Sequence, residues 1–220
     1  MALSLKPPTR LLMQHISVGL SQAYLAGSLF GFSQTTISKR LLKIPANLAN
    51  EAVIFFVVCE KTPHMNLLML IGTQTGNTET VAESVAQHLA QEGHSIHFVD
   101  LADAYPEILL EYNHLILATS TWGDGELPDN ALDFFETFLT LAPELSHLQF
   151  AILALGDHTY DPYFCKAGEI FDTTLSRFGA QKAFSTYEID AGPTREDIRG
   201  ACYWSSQVCA SFSGEPAPFG

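Results

Sequence analysis

MNLLMLIGTQTGNTETV, residues Met65–Val81, joins two patterns of different period. Leu67–Ile71 is a continuous apolar run, as expected of a strand buried on both faces of a parallel sheet. Beyond it Val81, Val85 and Leu89 recur at i, i+4 and i+8, one face of a helix that should end near Gly93. Between them lies TQTGNT, Thr73–Thr78, without Lys or Arg. A helix starting there turns free backbone N–H groups and the positive end of its dipole toward the loop. The hydroxyls of Thr73, Thr75 and Thr78 and the amide of Asn77 add donors, and Gly76 permits close backbone approach. The segment suits an anion held without a cation. The same groups make an ordinary capped helix start, so the loop alone fits both readings. It is neither GxxxxGK(S/T), whose Lys reaches the outer phosphates, nor GxGxxG; one terminal phosphate monoester is the better fit.

Outward from this stretch, strand and helix patterns alternate. Ser95–Val99, Leu115–Ala118, Phe150–Leu155 and Ala183–Ile189 read as further strands. Pro128 opens a helix whose apolar face includes Leu132, Phe135 and Leu139. Ile170, Leu175 and Phe178 mark another, stopping at Gly179. Pro193 starts a last helix bearing Ile198, Ala201, Val208 and Phe212. Such alternation predicts an α/β, doubly wound five-stranded parallel sheet with helices on both faces. Ligands on these sheets sit beyond the carboxyl ends of the strands, so the loops after strands one, three and four belong together.

The third-strand loop is TSTWGDGELPDN, Thr119–Asn130; the fourth is LGDHTYDPYFC, Leu155–Cys165. Trp122 in a Gly-rich loop is costly to expose unless it covers something flat, and Tyr160 has the same character. Singly, each fits a core or surface residue as well. With the phosphate loop, the pair points to a planar ring carrying a phosphate, that is, flavin mononucleotide.

IGTQTGNTE, STWGDGELPDN and ALGDHTYDPYFCKAG together resemble, in order and spacing, the three FMN-binding loops of flavodoxins. The resemblance runs from Asn66 to Phe212 and is nearest to short-chain MioC-type flavodoxins and the FMN domains of diflavin reductases. It implies strand order 2-1-3-4-5. By that resemblance Thr73, Gln74, Thr75, Gly76, Asn77 and Thr78 bind the FMN phosphate. Trp122 and Tyr160 stack on the two ring faces, and Ser120, Thr121, Gly123, Asp124 and Gly125 line the ring edge. Gly156, Asp157, His158 and Thr159 meet the pyrimidine side, and Leu155, Phe164 and Cys165 also bind the cofactor. Gly123 would let its carbonyl turn toward the flavin N5 when that atom gains a proton, a backbone change Gly makes at little steric cost. Asp124, Glu126, Asp157 and Asp161 would place negative charge nearby and lower the second potential. No catalytic acid, base, nucleophile or metal ligand is implied.

The chain carries a formal charge of −13, but unevenly. Residues 1–64 hold six basic and two acidic side chains; residues 65–220 hold five basic and 22 acidic, a net −17. That surface repels nucleic acid and favours salt-sensitive docking to a basic protein face. The four Cys (Cys59, Cys165, Cys202 and Cys209) form no CxxC and read as free thiols in a reducing, cytoplasmic compartment. Residues 1–64 stand apart. Leu11–Phe32 is an uncharged stretch, diluted by polar residues, behind Lys6 and Arg10. It fits a leader or anchor, a genuine subdomain, or the upstream product of a misplaced start with Met65 as the true one. The expected division is therefore an extension over 1–64, an FMN-binding domain over 65–213 and a tail over 214–220.

The resemblance implies a monomeric one-electron carrier passing electrons from a flavodoxin/ferredoxin reductase to an acceptor, with biotin synthase as the acceptor associated with MioC-type members. Two alternatives stay open: an NAD(P)H:quinone oxidoreductase on the same fold, and the FMN domain of a larger reductase system. Membrane contact is expected only if residues 1–64 are a real anchor.

Overall fold

The computed structural model describes residues 64–190 and 192–214. The expectations for the extension therefore lie outside the described residues except at His64, and those for the tail except at Gly214. The elements run β1 (Asn66–Gly72), α1 (Asn77–Gln91), β2 (Ser95–Asp100), β3 (His114–Ser120), α2 (Asp129–Leu141), β4 (Gln149–Gly156), α3 (Lys166–Arg177), β5 (Gln181–Lys182), β6 (Tyr187–Asp190) and α4 (Arg195–Phe212). Short 3-10 turns occupy Pro106–Leu110 and His158–Tyr160.

Every strand pairing is parallel, in the order β2-β1-β3-β4-β5, with β6 also on β4. Period-two alternation divides the apolar strands between two cores. Leu68, Leu70, Leu115, Leu117, Phe150 and Ile152 face α2 and α3. Leu67, Met69, Ile71, Ile116, Ala118 and Leu153 face α1 and α4. Each fully buried side chain of this size contributes about 1.5–3 kcal/mol relative to exposure. The continuous apolar runs are thus explained by helices on both sides.

Two expectations are corrected. Ala183–Ile189 is not one strand: the fifth position holds two short ones, giving a six-stranded sheet among the described residues. The Ala183 amide still donates to Phe150 O at 2.9 Å, while the Ser185 carbonyl, between the two short strands, accepts the Trp204 indole N–H of α4, also at 2.9 Å. The second correction concerns α2, which buries Ala131, Phe134 and Phe138 and leaves Leu132 and Leu139 each 42% exposed. Both sets have helical spacing, offset by one position. Bonds from Asp129 and Asn130 to the loop after β1 fix the helix's rotation in favour of the first set. The last helix begins after Thr194, which closes a capping box with Asp197. Among the described residues no helix is long and apolar enough to cross a membrane.

Candidate cofactor site

The loops after β1, β3 and β4 meet at the carboxyl edge of the sheet around a cleft of about 390 Å³. Gln74, Thr75 and Asn77 line it from the first loop and Ser120 to Gly123 from the second. Leu155, Gly156, Asp157, Tyr160 and Tyr163 line it from the third.

The first loop turns into α1 at Gly76, whose φ of 81° is left-handed and where a Cβ would meet nothing within 4 Å. The N–H groups of Asn77, Thr78 and Glu79, in the first turn, have no partner along the helix. Thr78 is fully buried and its hydroxyl has no hydrogen-bond partner among the described residues. Buried hydroxyls are costly unless bonded, so a polar ligand at this helix start fits the residues present. Not every loop amide is available. Thr73 N donates to Asn130 Oδ1 at 2.9 Å, Gln74 N to Ser120 Oγ at 3.3 Å, and Gly76 N to Thr73 Oγ1 at 3.0 Å.

The second loop is a tight reversal. Trp122 N donates to Glu126 O at 3.0 Å, and Glu126 N and Gly125 N return to Trp122 O at 2.7 and 3.2 Å. Gly123 and Gly125 make the turn with φ of 50° and 96°. A Cβ on Gly125 would meet the Tyr163 ring at 3.0 Å and the Lys166 stem at 3.1 Å, so this turn rests on the third loop. Thr121 ties the same loops from below, its N–H donating to Leu155 O at 2.8 Å and its hydroxyl accepting from Ala167 N at 3.1 Å. Trp122 is 48% and Tyr160 58% exposed, although both line the cleft.

In the third loop Asp157 accepts from the amide and hydroxyl of Thr159 at 2.8 and 2.6 Å. Those bonds, the hydroxyl's first, hold its carboxyl below the usual aspartate value, so the cleft rim carries a fixed negative charge. His158 is exposed and its Nδ1 lies 2.6 Å from Asp190 Oδ2. Cys165 is buried behind Gly156, its thiol donating to Ala154 O at 3.4 Å. Burial, then the charge of Glu188, pushes this thiol up to about 12, so it stays protonated and unreactive.

Of the residues named from the sequence, Gln74, Thr75, Asn77, Ser120, Thr121, Trp122, Gly123, Leu155, Gly156, Asp157 and Tyr160 share the cleft wall. Thr73, Gly76, Thr78, Asp124, Gly125, His158, Thr159, Phe164 and Cys165 are in the same three loops but off that wall. Tyr163 also lines the wall, and the sequence pattern did not single it out. The partners of the loops, Asn130 and Asp190, were also missed, because only the fold brings them near.

The flavodoxin family model matches residues 70–204. The chain is 37% identical over 129 residues to the sulfite reductase (NADPH) flavoprotein alpha-component of Vibrio parahaemolyticus, 58% of this chain and 20% of that protein. To the same component of Bacillus subtilis it is 36% identical over 155 residues, 68% of this chain and 25% of that protein. The chain therefore spans a quarter or less of the length of these relatives. Among solved structures, oxidised flavodoxin 1 from Bacillus cereus superposes with a TM-score of 0.61 at 27% identity, covering 69% of this chain and 99% of that one. The Streptococcus pneumonia TIGR4 flavodoxin gives 0.60 at 32% identity, over 66% and 98%. The chain belongs to the flavodoxin family, whose cofactor is FMN and whose work is electron transfer.

Proposed function

We propose that residues 64–214 bind FMN in this cleft and serve as a one-electron carrier between protein partners. The observation that carries this is the pairing, on one sheet edge, of a donor-rich helix start holding an unsatisfied buried hydroxyl with two half-exposed aromatics beside it. The first suits a phosphate monoester and the second a flat ring. FMN, when bound, supplies reversible one-electron chemistry. The chain's own residues bind the phosphate through Thr75, Asn77, Thr78 and the α1 amides, and cover the ring with Trp122, Tyr160 and Tyr163. Gly123 shapes the backbone at its edge.

The acidic surface supports a partner with a basic docking face and a weak, salt-sensitive encounter. The carrier proposed is a monomer in a reducing cytoplasm. Two acceptors follow from the resemblances. Biotin synthase follows from the MioC-type flavodoxins. A sulfite-reducing component follows from the curated relatives, in which the matching segment is one part of a longer flavoprotein. The 36–37% identity over 129 to 155 residues favours the second, with this domain acting as the FMN module of a reductase system.

The test is anaerobic. The purified chain is mixed with FMN, freed of excess, and reduced stepwise while absorbance is followed. Retained flavin bands and two separated one-electron steps support the reading. A protein that stays colourless overturns it. Electron delivery to a sulfite-reducing component, compared with biotin synthase, then distinguishes the acceptors.

A further inference from the structure

Two connections join the first loop to the start of α2. Gln74 and Asp129 bond reciprocally: Gln74 Nε2 donates to Asp129 Oδ2 at 3.0 Å, and Asp129 N donates to Gln74 Oε1 at 2.9 Å. One residue on, Asn130 Oδ1 accepts the Thr73 amide at 2.9 Å while its Nδ2 donates to Asp100 Oδ1, also at 2.9 Å. Asp100, the last residue of β2, is itself fixed by the Ala102 amide at 2.7 Å. Asn130 thus uses both ends of its amide at once. Its acceptor end must face Thr73 because its donor end is committed to Asp100.

We propose that Asn130, oriented by Asp100, is a positioning residue for phosphate recognition. It does not touch the phosphate. It fixes the peptide at Thr73, from which the chain runs through Gly76 to the amides of the α1 helix start. The inference rests on the FMN reading. Its chemistry separates two parts of one ligand: the relay acts on the phosphate loop, whereas the aromatics that cover the ring stand on the other two loops. Loss of the relay therefore weakens FMN and spares riboflavin, which has the ring without the phosphate.

The full chain, stripped of cofactor, is titrated with FMN and with riboflavin by flavin fluorescence. Asn130→Ala is expected to lower FMN affinity about ten-fold, one hydrogen bond's worth, with riboflavin affinity held. Asp100→Ala carries the same readout should Asn130→Ala fail to fold. It also removes a negative charge from the neighbourhood, which by itself favours a dianion, so a selective loss there cannot be a charge effect. Asp100→Asn keeps an acceptor oxygen and is expected to keep the FMN preference. Equal losses for both ligands, or no loss, overturn the proposal and leave the FMN reading intact. Wild-type protein that binds neither flavin overturns both.

Discussion

Gly156 lies directly against Cys165: a Cβ on the glycine would collide with the cysteine backbone nitrogen. Gly156 ends β4 and lines the cleft, while Cys165 caps the start of α3, so the contact seats the third loop on the sheet. Backbone cannot yield as a flexible side chain can. Gly156→Ala is expected to destabilise the fold by about 1–3 kcal/mol and to displace the cleft wall. Urea midpoints and FMN titration check the two effects, and an alanine variant with wild-type values for both would refute the contact.

The aromatics differ in kind. Trp122 and Tyr160 are the more exposed pair, whereas Tyr163 also supports Gly125. Trp122→Ala and Tyr160→Ala should each weaken FMN binding about ten-fold with little change in unliganded stability. Tyr163→Ala should reduce both. Calorimetric titration alongside thermal melts separates the cases.

Gly123 holds a left-handed φ of 50°, and a Cβ there would press on Glu126 Oε2 at 2.9 Å. Gly123→Ala restricts the backbone change at the cofactor edge. The two one-electron potentials should move closer together, with FMN still bound. Spectroelectrochemistry of the variant against wild type measures the separation; an unchanged gap would remove Gly123 from the redox argument.

His94 is buried with neither ring nitrogen bonded among the described residues. Burial, then the neighbouring His64, holds its titration below the ordinary value of 6.5. Above 6.5 both folded and unfolded chains carry a neutral ring. Below it the unfolded chain takes a proton that the folded one refuses, so stability falls as pH drops. His94→Leu should flatten this acid limb and raise stability at neutral pH by removing unsatisfied polar atoms. His114 is lowered in the same direction by burial, and keeps part of the slope. Urea midpoints between about pH 7.5 and 5 give the comparison.

Much of this was legible in the sequence, for physical reasons. Fully buried strands must be apolar on both faces, so β1, β3 and β4 stand out as runs. Anion and ring recognition require particular residue types at strand ends, so the three loops do too. The phase of α2 was not legible, because Leu132, Phe135 and Leu139 compete with Ala131, Phe134 and Phe138 at equal spacing. Its arbiter, the Asn130–Thr73 bond, spans 57 residues. The break between β5 and β6 likewise depends on Trp204, 19 residues beyond Ser185.

That break has a consequence for how molecules of this chain meet one another. A sheet edge is a template on which a foreign strand can extend the ladder. At this border the template is cut into runs of two and four residues, separated by a stretch whose Ser185 carbonyl already has a partner. Neither run offers the length of continuous backbone that edge-to-edge association needs. Trp204→Phe, which keeps the ring and removes the indole donor, would free that carbonyl, and the cost would show as aggregation on concentrating the protein before it showed as a lower melting temperature.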